Sequence, residues 1–383
     1  MLLPEHRSKE LLAKYGVPIP PGFLARTAND AETGCGKLDA SRYVVKSQIL
    51  AGGRGLAGGV RIVDTPSAVG EEVGRLLGHT LVTEQTGPRG EVVSTVYIET
   101  ALDIVDSRFM ALALDPESGA VMLLASAAGG VEFEQRARMD DSVYDTMLID
   151  GDTPETRKSV TAFLKKAGID EAAVDIAFAG YAALIENELT LVEINPLAKT
   201  RTGDWYAADA KVALDANALF RHPEFEEFKP LQNPDPIEAA AQQNNINLVK
   251  LDGDIGVVVN GAGLGLATHD MLIEAKGKPA NFMDIRTTAT SLNIAKGVEL
   301  LLQDPKVRCI LLNIHGGGIT LGDTVAEGVS IAYGHSSRKV PLVARMAGQN
   351  ADRGLAILKE HRLPVEVVGT MSDAIARSVA LAG

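Results

Sequence analysis

The strongest constraint on the fold lies in the second half of the chain, where short apolar runs each lead into glycine. Ile255-Gly256-Val257-Val258-Val259-Asn260 is followed by Gly261-Ala262-Gly263-Leu264-Gly265, and Cys309-Ile310-Leu311-Leu312-Asn313 by Ile314-His315-Gly316-Gly317-Gly318-Ile319-Thr320. Residues 342–345 and 365–368 repeat the pattern, with helical spacing over 266–276 and from Ser372 onward. A strand that is apolar at nearly every position is buried on both faces, as in parallel sheets covered by helices. These runs predict a flavodoxin-like, doubly wound α/β domain whose ligands sit at the carboxyl ends of the strands.

The Gly261 cluster invites a dinucleotide reading, with Asp284 at a suitable distance. Leu266 stands where G-x-G-x-x-G needs its third glycine, which disfavours an oxidoreductase. Gly316-Gly317-Gly318 precedes a helix whose N-terminus would attract an anion. Asn260 ends a neighbouring strand and is expected to share that pocket. His315 by itself reads as a packed, tautomer-fixed histidine rather than a catalytic one.

At 383 residues the chain exceeds one ordinary domain. Pro223, Pro230, Pro234 and Pro236, with Asn233 and Asp235, mark a linker and suggest domains over 1–232 and 233–383. A net charge of -13 argues against a nucleic-acid partner. Cys35 and Cys309 match no disulfide framework, no apolar run suits a membrane span, and no targeting segment is evident. The expectation is a cytoplasmic protein.

In the first half, a short amphipathic helix over residues 6–15 is followed by a strand, Tyr43-Val44-Val45-Lys46-Ser47-Gln48. Lys46 approaches a glycine-rich run, Ala51-Gly52-Gly53-Arg54-Gly55-Leu56-Ala57-Gly58-Gly59. Glycines let backbone N–H groups approach an anion, while Lys46 and Arg54 supply positive charge. The spacing is not that of a P-loop, and a mobile surface turn is the competing reading. Glu99 ends another strand; Glu132 and Glu134 read as solvated strand residues. Strands alternating with helices over 156–167 and 172–186 describe an α+β unit that handles nucleotides.

The chemistry concentrates in Leu191-Val192-Glu193-Ile194-Asn195-Pro196-Leu197. Glu193 and Asn195 should share one face of a strand that Pro196 ends. With Gly203 left-handed in a three-residue loop, Asn195 falls opposite Asp209. Hard oxygen ligands, few in number, suit Mg²⁺ that keeps its bonds to water and phosphate. The competing reading is a half-buried hairpin with an ordinary polar face.

Together, Val45-Lys46, the 51–59 run, Glu193-Ile194-Asn195-Pro196-Leu197, Asp215-Ala216-Asn217-Ala218-Leu219-Phe220-Arg221 and Val259-Asn260-Gly261-Ala262-Gly263-Leu264 form a specific pattern. The chain resembles, nearly end to end, the β subunit of succinyl-CoA synthetase and related ADP- or GDP-forming acid–CoA ligases. The resemblance implies an ATP-grasp domain followed by a flavodoxin-like CoA-ligase domain. It implies that Lys46, Gly53, Arg54 and Gly55 hold nucleotide phosphates and that Glu99 lies near the nucleotide. Asn195 and Asp209 would bind Mg²⁺, and Glu193 would steady a phosphohistidine carried by a separate α subunit. That subunit would also hold most of the CoA site, in an αβ or α₂β₂ complex. ATP is the expected nucleotide, with GTP as the alternative.

Several positions depart from the family. Ser107 stands where a nucleotide-contacting Glu is usual, and Leu102 where a small polar residue is common. Phe282-Met283-Asp284-Ile285-Arg286-Thr287-Thr288 replaces a glycine-rich run, and 313–319 is one residue longer than usual. The acid substrate is expected at Asn260, Arg286, Thr287, Thr288, His315, Gly317, Gly318, Ile319 and Thr320. Added donors there predict a small anionic carboxylic acid other than plain succinate, such as malate or sulfoacetate. The alternatives are an ordinary ADP-forming succinate–CoA ligase β subunit and, in another class, a catalytically silent regulatory subunit.

Overall fold

The strand Leu189–Thr200 is the spine of the first half, and its burial follows the two-residue period of a strand. Val192 and Ile194 are buried in the main core, while Glu193 and Asn195 lie half-buried on the opposite face. Ile104–Leu114 flanks it on one side; Ala210–Leu214 and Trp205–Ala207 flank it on the other. Ile194 pairs with Ala210 and Leu197 with Ala207 in one continuous register, so Asn195 lies opposite Asp209. Gly203, at φ +96°, supplies the left-handed turn residue that this register needs. Pro196 does not end the strand as expected. It sits where the pairing passes from one partner strand to the other, and its carbonyl still accepts from Ala208 N–H at 3.1 Å. The missing donor costs one bond at a junction, not the ladder.

The computed structural model describes residues 1–232, 235–316 and 319–383. It divides into two units, Met1–Gln232 and Asn233–Gly383. The first contains an antiparallel sheet of Gly22–Ala25, Val96–Thr100, Tyr43–Ser47 and Val60–Val63, and a larger sheet built around the spine strand. Ala28–Cys35 and Pro66–Leu76 supply the helical side of the smaller sheet's core, through Ala31, Cys35, Val69 and Val73. Val160, Leu164, Ile176 and Leu184 do the same for the larger sheet.

Two sequence expectations fail here. Residues 130–137 form the helix Gly130–Ala137, not a strand. A side chain at Gly129 would come within 2.6 Å of the Arg108 backbone, so this close approach requires glycine and ends the preceding strand at Ser126. The proline-rich stretch is also no bare linker: Pro223–Gln232 is 3₁₀-helical, and Phe225 and Phe228 are buried in the first unit's core.

The second unit is a six-stranded sheet in the order Asn247–Lys250, Asn281–Asp284, Ile255–Val259, Cys309–Gly316, Leu342–Gly348, Val365–Val367. The first pair is antiparallel and the remainder parallel. Val258, Ile310, Leu312 and Ile314 enter one core; Val257, Val259, Leu311 and Val343 enter the other. That division explains why these strands read as apolar at successive positions. Asn247–Lys250 and Asn281–Asp284 carry no such run because one residue of four is buried in the first and two of four in the second.

Candidate nucleotide and phosphoryl-transfer site

In the first unit a cavity of about 400 Å³ is lined by Glu5, Lys46, Arg54, Glu99, Glu193 and Asp209 among others. Gly53, Gly55, Leu102 and Asn195 also line it, so the structure gathers nearly all the residues assigned to nucleotide and metal. Ser107 is the exception: it pairs with Ala198 in the sheet and does not reach the cavity wall.

Each side chain is placed by a different element. Lys46 is the fourth residue of Tyr43–Ser47 and is buried. Its ammonium lies 2.8 Å from Glu5 Oε1 and 2.6 Å from Glu99 Oε1, and donates to Ala208 O at 2.6 Å. Arg54 folds back from the glycine loop instead of waving in solvent. It donates to Ser47 O and Asp209 Oδ2, both at 2.8 Å. The loop is pinned as well: Gly59 N–H donates to Arg54 O at 2.8 Å and Gly52 N–H to Gln85 Oε1 at 2.7 Å. This is a built loop, not a mobile turn.

Burial pushes the Lys46 ammonium down, but Glu5, Glu99 and Asp209 outweigh it and hold it above its ordinary range. Burial likewise pushes the Glu5 carboxyl up, and Lys46, Arg54 and Lys9 together bring it well below the carboxylate range. Both groups are therefore charged. Glu193 behaves differently. Burial raises it, Lys211 opposes the rise, and Asp209 and Glu134 add to it. Glu193 is the more basic carboxylate of the two, suited to accept a hydrogen bond from a donor that enters the cavity.

Asn195 Oδ1 accepts from Gly130 N–H at 2.5 Å, which ties the metal candidate to the start of the Gly130–Ala137 helix. Asp209 keeps a second oxygen beyond its contact with Arg54. An amide oxygen and a carboxylate on facing positions fit a hard divalent ion completed by phosphate and water.

Sequence reasoning missed three residues here. Glu134, read as a solvated strand residue, lines the cavity beside Glu193, and burial followed by Asp209 pushes its carboxyl up. Glu5 and Lys9 come from the helix Glu5–Lys14 and are buried. Their signal was available: both continue the stripe that holds Leu12, at i, i+4 and i+7.

In the second unit Asn260 is not a free donor. Its Nδ2 donates to His315 O and its Oδ1 accepts from His315 N–H, both at 2.8 Å, which clamps two strand ends together. The His315 residue is exposed, not packed. The packed, doubly engaged histidine is His269, against Gly265 O and Asn281 O at 2.7 and 2.8 Å. Arg286, Thr287 and Thr288 are exposed, and the Arg286 guanidinium pairs with no described residue. Ile319 is exposed and Thr320 half-buried; Gly317 and Gly318 lie outside the described residues. Among the described residues no helix is long and apolar enough to cross a membrane.

The chain matches the ATP-grasp domain family over residues 2–199 and the CoA-ligase family over residues 258–378. It is 41% identical to the β subunit of succinate–CoA ligase [ADP-forming] from Acidovorax sp. (strain JS42), over 99% of each chain. The corresponding Ralstonia pickettii (strain 12J) subunit is 39% identical, over 100% of this chain and 99% of that one. Among solved structures, the ATP citrate lyase of Methanothrix soehngenii, in complex with citrate and coenzyme A, shares the fold. Its TM-score is 0.75 at 17% identity, over 99% of each chain. With full-length relatives at this identity and a charged cavity in its ATP-grasp half, the chain belongs to the β-subunit family of ADP-forming succinate–CoA ligases.

Proposed function

We propose that this chain is the nucleotide-binding subunit of an ADP-forming succinate–CoA ligase, working with an α subunit that carries the phosphorylated histidine and most of the CoA site. The observation that carries the reading is the convergence of Lys46, Arg54, Glu193, Asn195 and Asp209 on one cavity. Lys46 and Arg54 hold the phosphates of ATP, with the glycine-loop N–H groups beside them. Asn195 and Asp209 would hold Mg²⁺, which supplies screening of phosphate charge when bound. Glu193 accepts a hydrogen bond from one imidazole nitrogen of the α-subunit histidine and so aims the other at the γ-phosphoryl group. The phosphoryl group passes to that nitrogen, ADP leaves, and the phosphohistidine then activates the acid for attack by CoA thiolate.

A second reading concerns the acid. Arg286 is exposed and unpaired among the described residues, followed by two exposed hydroxyls. A guanidinium without an internal carboxylate is available to an additional anionic or hydroxylated group, which favours malate or sulfoacetate over succinate. One experiment addresses both readings. The chain is co-purified with its α-type partner and ADP release is followed with ATP, Mg²⁺ and CoA, offering each acid in turn. Release with succinate supports the first reading. Silence with succinate and release with another acid moves specificity to the Arg286 loop. No release with any of the acids counts against both.

A further inference from the structure

The first unit gathers three basic and three acidic side chains beside one carbonyl, all buried except the half-exposed Asp209. The ammonium groups of Lys9 and Lys46 both donate to Ala208 O at 2.6 Å. Glu99 spans the two, with Oε1 2.6 Å from Lys46 and Oε2 2.5 Å from Lys9. Glu5 Oε1 also touches both, at 2.8 Å from Lys46 and 3.3 Å from Lys9. Its Oε2 lies 2.7 Å from Arg54 Nη2, which in turn holds Asp209 at 2.8 Å. Three cations meet three anions. The set is therefore balanced before any nucleotide arrives.

The six are not equivalent in position. Glu5, Lys46, Arg54, Glu99 and Asp209 face the cavity, whereas Lys9 has no exposed surface and is not part of its wall. The contact between Glu5 Oε2 and Arg54 is an ion pair without hydrogen-bond alignment, and Glu5 Oε2 accepts no hydrogen bond from any described residue. A phosphate oxygen offers a guanidinium a better match. Drawing Lys46 and Arg54 toward phosphate would nevertheless strand two buried carboxylates, a costly outcome. Lys9 already touches both.

We propose that the Glu5 carboxylate is an internal stand-in for nucleotide phosphate, and that Lys9 retains Glu5 and Glu99 when phosphate draws Lys46 and Arg54 away. This rests on the reading that Lys46 and Arg54 hold the nucleotide. Glu5 and Lys9 are then positioning residues for phosphoryl transfer, acting through the two cations. Nucleotide binding becomes an exchange of anions and does not add charge to an empty pocket. The charge balance sets its strength, so each substitution has a predicted sign.

The test is calorimetric binding of Mg²⁺ with the non-hydrolysable analogue AMP-PNP to the full chain co-purified with its α-type partner. Glu5→Gln removes the competing anion and should tighten binding roughly tenfold. Lys9→Met leaves Glu5 and Glu99 dependent on Lys46 and Arg54 and should weaken it roughly tenfold. The double variant restores the balance and should return to within about twofold of the unaltered protein. A purely structural role predicts weaker binding in both single variants and the weakest in the double, and that result overturns the proposal. If Lys9→Met fails to fold, as its melting curve would reveal, Glu5→Gln decides alone, and binding that is equal or weaker overturns it. Lys46→Met separates the two levels: unchanged binding there removes the nucleotide reading itself, whereas weakened binding leaves Glu5→Gln to decide the exchange.

Discussion

In the first unit, three basic and three acidic side chains pair with one another beside the Ala208 carbonyl, five of the six buried, whereas in the second the polar residues Arg286, Thr287, Thr288 and His315 stand exposed at the carboxyl ends of the strands. Burying paired charges costs several kcal/mol per ion before their attraction repays it. A fold that sought only stability would fill the same space with leucine. In the second unit two apolar cores cover the sheet, and Arg286, Thr287, Thr288 and His315 are left outside them. The first unit thus carries its own counter-charges, while the Arg286 loop presents side chains with no internal partner among the described residues. Their partners are expected to be the acid and the α subunit.

The largest effect that would sharpen this comparison is at Lys46. Lys46→Met should lower ATP-dependent ADP release by roughly a thousandfold, the scale of losing a preorganised cation at a phosphoryl group. Initial rates at saturating acid and CoA, with a melting curve to confirm folding, measure it. A loss of less than about threefold would mean that the buried charges of the first unit serve structure alone.

A smaller and more selective effect is expected at Arg286. Arg286→Ala should raise KM for the acid by about ten- to a hundredfold, the range of one lost charge-assisted contact. KM for ATP should stay within about twofold. Parallel loss for acid and ATP would contradict an acid-contacting role. Because this side chain makes no internal ion pair with a described residue, its removal should leave unfolding midpoints essentially unchanged.

The same contrast explains what was readable in the sequence. The hairpin that places Asn195 opposite Asp209 is a local object, set by a two-residue period and a three-residue loop with Gly203, and both are visible in the letters. The parallel strands of the second unit were visible because burial on two faces leaves an unbroken apolar run. The helix at Gly130–Ala137 was not, since the close approach of Gly129 to the Arg108 backbone joins residues distant in sequence. For Glu5 and Lys9 the helical stripe shared with Leu12 was legible, but the charges they meet were not. The partners of Lys9, Glu99 and Ala208, and those of Glu5, Lys46 and Arg54, lie far along the chain, and a charged residue on a short N-terminal helix reads as solvated until those strands close over it.

The smallest expected effect tests whether the Arg286 loop is anchored independently of what it binds. The helix Ser291–Gln303 begins with a reciprocal cap: Thr290 accepts from Asn293 N–H at 3.3 Å, and Asn293 Oδ1 accepts from Thr290 N–H at 3.1 Å. That cap fixes the far end of the 286–290 turn, whose near end is closed by Ala289 N–H donating to Arg286 O at 2.9 Å. Thr290→Ala frees the Asn293 N–H at the helix start and should cost about 1 kcal/mol of stability, read from urea unfolding. If the cap also holds Arg286 in position, KM for the acid should rise about threefold while KM for ATP does not move. Loss of stability with an unchanged KM for the acid would mean that the loop is set by what lands on it, and that the contrast between a preformed charged cavity and an open polar loop extends to the backbone itself.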